Sequence, residues 1–309
     1  MKNSSDNLSN QTTSSKLTKI RFIMTGFSLF LLVVSLGLVA FKGFNWGLDF
    51  TGGVVAEVRV DAALQADQIK AHLDQELSQD VQVMKGSDSG QWIIRYSHDG
   101  ELDTGIAEQL APISQNVQVD SHSIVGPQVG QEMVEQGSLA IIACLLLIMV
   151  YLSMRFDWRL ASGALIALMT DVVIVLGVFS LLQIEFNLTV LAALLAVLGY
   201  SLNDSIIIAD RVRELMRMRP NGQTEPIINE AVKATFSRTL VTSGTTLVTV
   251  SSLWLLAGDS LQGFSIALFV GIVCGTSSSI ALGVTLPQLF GLKPADYIPQ
   301  SLDIEENYS

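Results

Sequence analysis

The stretch Leu198-Gly-Tyr-Ser-Leu-Asn-Asp-Ser-Ile-Ile-Ile-Ala-Asp-Arg211 places a carboxylate, Asp204, near the end of a long apolar run. Residues 187–198 carry no charge, and residues 187–209 are long enough to cross a bilayer, which needs about 20 mostly apolar residues. An acid inside such a span costs roughly 2.5–3.5 kcal/mol on insertion scales, so it usually faces a helix bundle and marks an ion or proton path. The sequence therefore predicts a membrane protein in which Asp204 is functional, with a purely structural role as the alternative.

The composition agrees, because hydrophobic residues make up 49% of the 309-residue chain and charged residues only 15%. Six apolar runs are long enough to be transmembrane helices, and a large segment separates the first from the second. They cover residues 20–42, 134–154, 160–182, 188–209, 237–257 and 264–290. The first is too long for the core of a signal peptide, so we expect an uncleaved span, and the last is expected to tilt or to end before Pro287.

Basic residues occur in alternate loops between the spans. Arg155 and Arg159 follow span two and five basic residues follow span four, whereas the loops 183–186 and 258–263 contain none. By the positive-inside rule, the basic loops and both tails, 1–19 and 292–309, are predicted to be cytoplasmic. The first tail is rich in Ser, Asn and Thr, and we expect it to be disordered. The segment 43–133 is then periplasmic, and spans two to six fill residues 134–291.

The periplasmic segment has the pattern of a small α+β domain. It holds 14 acidic and four basic residues, so about −10 of the chain's net charge of −11 lies there, as expected for a solvated surface; a basic partner is the alternative. Alternating and helical patterns follow one another in the order βαββαβ, which predicts a ferredoxin-like split unit. The segments are 54–60, 63–77, 81–84, 92–96, 106–113 and 117–119, with a turn at 86–90.

The residues that usually carry enzyme chemistry are missing or badly spaced. The histidines, His72, His98 and His122, are too far apart for a known ligand spacing, and Cys144 and Cys274 lie within spans, where small packing residues are expected. No nucleotide-binding loop and no nucleophile or zinc motif occurs. We therefore predict no enzymatic activity, no cofactor or metal and no nucleic-acid partner, and any work must draw on an ion gradient or on a partner protein.

Polar groups inside three spans suggest a path for such an ion. Asp171 falls near mid-bilayer in span three, and Ser201, Asp204 and Ser205 share one face of span four. Span five begins with Arg238, whose side chain is long enough to reach Asp204, and a stripe of hydroxyl groups follows it: Thr242, Thr245, Thr246, Thr249 and Ser252. Arg238 and the hydroxyl stripe each have a simpler interpretation. Hydroxyls in a span often bond backbone carbonyls, and an arginine side chain can extend to the membrane–water interface. Asp171 is equally open to a structural role.

Four motifs resemble the SecD/SecF family of protein-export membrane subunits over about residues 20–290. They are Trp46-Gly-Leu-Asp-Phe-Thr-Gly-Gly53, Gly126-Pro-Gln-Val-Gly130, Gly199-Tyr-Ser-Leu-Asn-Asp-Ser205 with Asp210-Arg-Val-Arg-Glu214, and Arg238-Thr-Leu-Val-Thr-Ser-Gly-Thr-Thr246. The resemblance implies half of an RND-type transporter in the bacterial inner membrane, with a SecD chain as the other half. It also implies that the pair uses the proton-motive force to help SecYEG, after SecA has acted, to complete the export of unfolded preproteins.

The resemblance also implies residue roles. Asp204 and Arg238 would form the proton path, and we add Asp171, Ser201, Ser205 and Thr242 as candidates around them. Our hypothesis is that protonation of Asp204 weakens its pairing with Arg238 and lets the helices shift; sodium is the alternative coupling ion. The segment with Gly47, Asp49, Gly52 and Gly53 would be a hinge or a tight junction. Thr170 stands where many members have His, so a His-assisted relay is not expected here.

Two other classes remain as alternatives. A half-size RND-type exporter of lipids or small molecules would share the architecture and would show drug sensitivity without an export defect. An intramembrane aspartyl protease would use two acids such as Asp171 and Asp204, but its G-x-G-D motif is absent because Asp204 follows Ser-Leu-Asn.

Overall fold

The computed structural model describes residues 2–61, 63–77, 81–86, 90–96, 105–258 and 261–297, and of residues 2–14, 123, 125 and 127 it describes the backbone only. In chain order the elements are α1 (Lys2–Lys42), β1 (Asn45–Trp46), α2 (Leu48–Thr51), β2 (Gly53–Arg59), α3 (Ala66–Leu77), β3 (Gln82–Lys85), β4 (Gln91–Tyr96), α4 (Ile106–Leu110), β5 (Gln118–Val125), α5 (Pro127–Arg155), α6 (Trp158–Leu182), β6 (Glu185–Phe186), α7 (Leu188–Met218), α8 (Thr224–Leu256) and α9 (Gln262–Leu289). A final 3-10 turn covers Pro294–Tyr297.

Six of these helices are long and apolar enough to cross a membrane, as predicted: α1, α5, α6, α7, α8 and α9. About half of the most apolar part of α6, α7 and α9 is buried, whereas α1, α5 and α8 bury much less. The first three therefore form the interior of the bundle, and the other three lie around it. Their close packing depends on small residues; a Cβ on Gly163, for example, would lie 2.5 Å from Cδ of Pro287.

Two helix bounds differ from the sequence prediction. α9 does not end before Pro287 but continues through it to Leu289, since only the last turn lies beyond the proline and few backbone hydrogen bonds are affected. α1 begins at Lys2, within the tail for which we predicted disorder. No proline or glycine precedes Gly26, so nothing in that segment interrupts a helix that continues into the span.

α6 and α7 form an antiparallel hairpin, called the α6–α7 hairpin here, with its turn at residues 183–187. Gln183 ends α6 in the left-handed conformation, with φ of 53°. Asn187 caps α7, because its side chain accepts a hydrogen bond from the backbone N–H of Val190 at 3.1 Å. The turn is therefore a tight connection between two interior helices.

The outer domain, residues 53–125, follows the first span. Its antiparallel sheet has the order β3-β4-β2-β5, and its core includes Val54, Ile69, Ile94 and Leu110. The element order β2-α3-β3-β4-α4-β5 is the predicted βαββαβ. β5 is longer than predicted because it pairs with β2 along that strand's whole length. The predicted turn at 86–90 falls partly, and His98 wholly, outside the described residues.

We call the side of the bundle that carries this domain the domain side, and the other, where α1 begins and the final 3-10 turn lies, the terminal side. On the terminal side Arg21 is buried and donates to Oδ1 of Asn229 at 3.0 Å and to Oε1 of Gln288 at 2.5 Å. Tyr297 donates to the carboxylate of Asp157, which also caps α6. Burial and this contact with Asp157 raise the pKa of Tyr297, so the phenol keeps its proton. These contacts connect α1 to α8 and α9, and the final turn to the start of α6.

Candidate functional site

Asp204 lies in the interior of the bundle on α7. Its side chain is 1% exposed, and neither carboxylate oxygen has a hydrogen-bond partner within the part of the chain that the structure describes. The hydroxyl of Ser243 and the charge of Arg238, both on α8, act on it electrostatically. A carboxylate that is buried without a partner is costly in its charged form, so this is a place where a proton or cation has a large effect on packing.

Arg238 does not pair with Asp204 as we expected, and Thr242 bonds its own helix. Arg238 is exposed on α8, and no ion pair within 4 Å joins it to Asp204 among the described residues. The hydroxyl of Thr242 donates to the backbone carbonyls of Arg238 and Thr239, at 3.1 and 3.0 Å. The other members of the stripe, Thr245, Thr246, Thr249 and Ser252, also bond carbonyls of their own helix. The hydroxyls of the stripe are therefore hydrogen-bonded within α8 and do not form a continuous hydrogen-bonded path through the bundle.

Asp171 and Ser201 meet at the centre of the bundle. Asp171 on α6 is fully buried, and the hydroxyl of Ser201 on α7 donates to its Oδ2 at 2.5 Å. The second oxygen, Oδ1, has no hydrogen-bond partner among the described residues, although Ser278 on α9 also interacts with this carboxylate. α9 can approach because residue 275 is glycine: a Cβ there would lie 3.0 Å from Cβ of Ser201. The site thus joins the three interior helices.

Hydroxyl groups of α9 connect the two acids to the rest of the bundle. Ser205 and Ser279 share a hydrogen bond of 3.0 Å, and Ser279 also lies 3.4 Å from the backbone carbonyl of Ser201. On the other side of the site, Ser243 and Thr276 share a hydrogen bond of 2.7 Å. The predicted residues Ser201 and Ser205 therefore both contact Ser279 of α9, Ser201 through its backbone carbonyl and Ser205 through its hydroxyl.

We did not predict four of the site residues from the sequence: Ser243, Thr276, Ser278 and Ser279. The last three belong to the run Gly275-Thr-Ser-Ser-Ser279, which is unusually polar for the middle of a span. That run was the available signal. Ser243 follows Thr242 directly and so lies on a different face of α8, 3% exposed, toward Asp204.

The predicted junction residues pack tightly against the α6–α7 hairpin. β1 pairs in parallel with β6, and the backbone N–H of Gly47 donates to Phe186 at 2.9 Å. The carboxylate of Asp49 accepts from the backbone N–H of Leu188, the first residue of α7, at 3.0 Å. A Cβ on Gly47 would lie 2.6 Å from Oε1 of Glu185, so the missing side chain makes room for this acid. These contacts favour a tight junction over a hinge.

Gly52 and Gly53 adopt backbone conformations that other residues rarely reach, with φ of 75° and 148°. A third glycine, Gly130 at the start of α5, lies so close that a Cβ would come within 2.6 Å of the carbonyl oxygen of Phe50. Gly52, Gly53 and Gly130 are thus required by the local backbone geometry.

Two family models match the chain. The model described as protein export membrane protein SecD/SecF, C-terminal, matches residues 106–291, and the SecD/SecF GG motif matches residues 37–63.

Similar proteins carry the same family name. The chain is 39% identical over 294 residues to the protein translocase subunit SecF of Vibrio alginolyticus, covering 93% of this chain and 92% of the relative. It is 38% identical over 288 residues to the protein of that name from Escherichia coli O157:H7, covering 91% and 89%.

The fold resembles a crystal structure of SecDF, a translocon-associated membrane protein from Thermus, with a TM-score of 0.77 and 31% identity. That match covers 89% of this chain but only 38% of the longer one. A SecDF structure in the super-membrane-facing form gives a TM-score of 0.68 at 32% identity, covering 86% and 37% of the two chains.

Proposed function

Because this chain belongs to the SecD/SecF family of protein-export membrane proteins, we propose that it is the half of a Sec translocase accessory pair that uses the proton-motive force to promote late stages of protein export. Its proposed partner is a SecD-type chain, because this chain matches only 38% of the longer SecDF chain from Thermus. SecYEG and an unfolded preprotein are the further partners, with SecA acting earlier. The pair works without enzymatic activity of this subunit.

The proposed location follows from the distribution of basic residues. Arg155, Arg159 and the basic residues at the end of α7 favour a cytoplasmic location for the terminal side, and the acidic outer domain would then lie in the periplasm of a bacterial inner membrane. A proton that moves inward through 100 mV would release about 2.3 kcal/mol, before any contribution from the pH difference.

The observation that carries the proposal is the unpartnered, buried carboxylate of Asp204 beside α8. When this group is protonated, α7, α8 and α9 pack around a neutral side chain. When it is charged, the lowest-energy arrangement is one that brings a cation or hydroxyl donors to it, and Arg238 and Ser243 are the groups placed to respond. Proton occupancy therefore biases the bundle between two packings.

Asp171 acts as a second acid in the same proposal. It lies on α6, another of the interior helices, and contacts α7 through Ser201. A shift of α7 would change both the Asp171–Ser201 contact with α6 and the Ser205–Ser279 contact with α9, because Ser201 and Ser205 both lie on α7. Sodium is the alternative coupling ion, since carboxylate and hydroxyl oxygens also bind it.

Asp204→Asn is the direct test, made in vesicles that contain the partner chain and the translocon. We expect loss of the gradient-dependent part of preprotein export, with the ATP-driven part unchanged. Asp210→Asn is the matched control, because Asp210 lies on the same helix but is partly exposed and paired with Arg155 at 2.8 Å. Full gradient-dependent export by Asp204→Asn, at normal membrane level, would exclude Asp204 as the coupling group. Imposing a pH gradient or a sodium gradient alone would identify the ion.

A further inference from the structure

The outer domain is held to the bundle at two separate places. The first is the junction, residues 45–53, where β1 pairs with β6; the chain also leaves the domain here, because β5 ends beside Gly53 and leads into α5. The second is an ion pair between Arg95 on β4 and Glu185 in the turn of the α6–α7 hairpin. Among ion pairs that join two described residues, this is the one that links the sheet of the outer domain to a membrane helix pair. A body attached at one place can rotate, whereas attachment at two places fixes its orientation.

The second attachment borders open space. A cleft of about 430 Å³ separates the domain from the bundle beside Glu185. On the domain it is lined by parts of α3 and β3, including Lys70 and Gln82, and on the bundle by the hairpin turn and the start of α9. Because much of this lining is polar, water and protons can reach Glu185 from the domain side. The ion pair therefore spans a gap that has room to open.

The Arg95–Glu185 ion pair is long and only partly satisfied by hydrogen bonds, so it can break. Nη1 of Arg95 lies 3.6 Å from Oε1 of Glu185, and that oxygen has no hydrogen-bond partner among the described residues. The two side chains are 24% and 17% exposed, so both charges are largely removed from water. Gly47 leaves the space that Glu185 occupies, and Asp49 adds a second negative charge close by. This is a contact of low strength between two costly charges.

We infer that the Arg95–Glu185 contact is a switchable joint between the outer domain and the α6–α7 hairpin, and that proton occupancy of Glu185 sets how firmly the domain is held. The hairpin carries Asp171 and Asp204, so the joint connects the domain to the two helices on which the buried acids lie. Its place in a transport cycle rests on the proposed function, whereas the joint itself is tested without transport.

The direction of the effect follows from the surroundings of Glu185. Burial raises the pKa of Glu185 from its ordinary value of 4.5 and outweighs the opposing effect of Arg95; Asp49 raises it further, and Gln82 and the backbone of Leu48 lower it. Apart from Lys70 across the cleft, the other cleft residues on β3, the hairpin turn and α9 are neutral. If Glu185 is solvated when the domain is undocked, its pKa is higher in the docked state. Docking is then firm at low pH and weakens as pH rises through the docked pKa.

The test measures the distance between the domain and the bundle. Spin labels at Gln75→Cys, on the exposed face of α3, and Leu256→Cys, at the domain-side end of α8, report it in the full chain assembled with its partner in lipid nanodiscs. Both native cysteines are replaced by alanine. Pulsed electron resonance at a series of pH values then gives the ratio of docked to undocked molecules.

Three variants separate a proton switch from an ordinary clamp. Glu185→Gln imitates the protonated acid, so it should stay docked at every pH and lose the pH response. Arg95→Gln leaves the charged acid without its cation, so it should raise the undocked-to-docked ratio at neutral pH by about tenfold, equivalent to about 1.4 kcal/mol, and recover at low pH. In the double variant, loss of Arg95 should have little further effect. Arg59→Gln is the control, because Arg59 pairs with Asp120 inside the domain at 3.2 Å.

Two results would overturn the inference. One is a docked-to-undocked ratio of the wild-type protein that does not change with pH, when the control variant Arg59→Gln gives the same ratio. The other is a Glu185→Gln variant that undocks as far as Arg95→Gln, which would make the pair a fixed clamp. Because no export is measured, either result is independent of whether Asp204 couples the gradient to export.

Discussion

Gly275→Ala tests whether the close approach of α9 holds the Asp171–Ser201 contact in place. The new Cβ would lie 3.0 Å from Cβ of Ser201 and 3.3 Å from Oδ2 of Asp171, whereas carbon atoms in good contact are about 3.5–4.0 Å apart. α9 and α7 must therefore separate by roughly half an ångström beside the 2.5 Å hydrogen bond from Ser201 to Asp171. Such overpacking costs about 1–3 kcal/mol.

Part of that cost is offset by the helix itself. Alanine is more favourable than glycine in a helix interior by about 0.5–1 kcal/mol, so the net loss of unfolding free energy should be about 1 kcal/mol. Gly244→Ala in α8 is the matched control, because a Cβ there meets nothing within 4 Å. Gly244→Ala should leave the unfolding free energy unchanged or raise it, whereas Gly275→Ala should lower it.

Gly271→Ala separates packing from the chemistry of the acid. Its Cβ would lie 2.4 Å from Cγ2 of Val197, one turn away from the acid, so it should destabilise the bundle at least as much as Gly275→Ala. We would measure unfolding free energy in lipid and gradient-dependent export per assembled complex. Gly275→Ala should lose more export than Gly271→Ala at equal stability. Equal export by the two, or unchanged stability of Gly275→Ala, would refute the argument.

Three further outcomes are expected. Ser243→Ala removes the hydroxyl that faces Asp204 and should reduce gradient-dependent export. Ser252→Ala should not, because Ser252 is exposed and its hydroxyl bonds its own helix. Equal export by the two variants would contradict this. Tyr297→Phe removes a donor to Asp157 and should cost about 1 kcal/mol of unfolding free energy. Since the pKa of Tyr297 is raised, thermal unfolding should show that loss unchanged between about pH 6 and 8, and a loss that varies there would count against it. Gly52→Ala forces a side chain into a backbone conformation suited to glycine and should destabilise the junction by about 1–3 kcal/mol. Limited proteolysis should then cut the junction faster than in the wild type, and wild-type resistance would contradict this.

The membrane helices could be predicted because each span must supply its own run of about 20 apolar residues. The interior acids could be predicted for the same reason, since a charge such as Asp204 is conspicuous in an apolar run. The outer domain followed from its alternating and helical periods, and its strand bounds shifted by a few residues where cross-strand pairing extended β5.

The rotation of each helix about its axis could not be predicted from the sequence. The hydroxyl stripe that begins at Thr242 has the spacing of one helix face, which suits the interior or the exterior equally well. Hydroxyls that bond their own helix need no partner, so the stripe is free to face outward. Ser243 and Ser279 gave no such pattern, and their role depends on contacts with neighbouring helices that only the folded bundle defines.

The junction motif shows how the same glycines can have opposite mechanical meanings. Three glycines after the first span, Gly47, Gly52 and Gly53, suggest freedom of movement from the sequence alone. In the structure Gly47 allows a close approach to Glu185, and Gly52 and Gly53 occupy fixed, unusual conformations, so each loses its freedom. Because β1 is paired with the turn of the α6–α7 hairpin, a displacement of α6 or α7 reaches the outer domain through a stiff connection. In the proposed cycle the domain therefore follows the hairpin that carries Asp171 and Asp204 without a flexible hinge, and the contact at Glu185 sets how firmly its sheet is held to the hairpin turn.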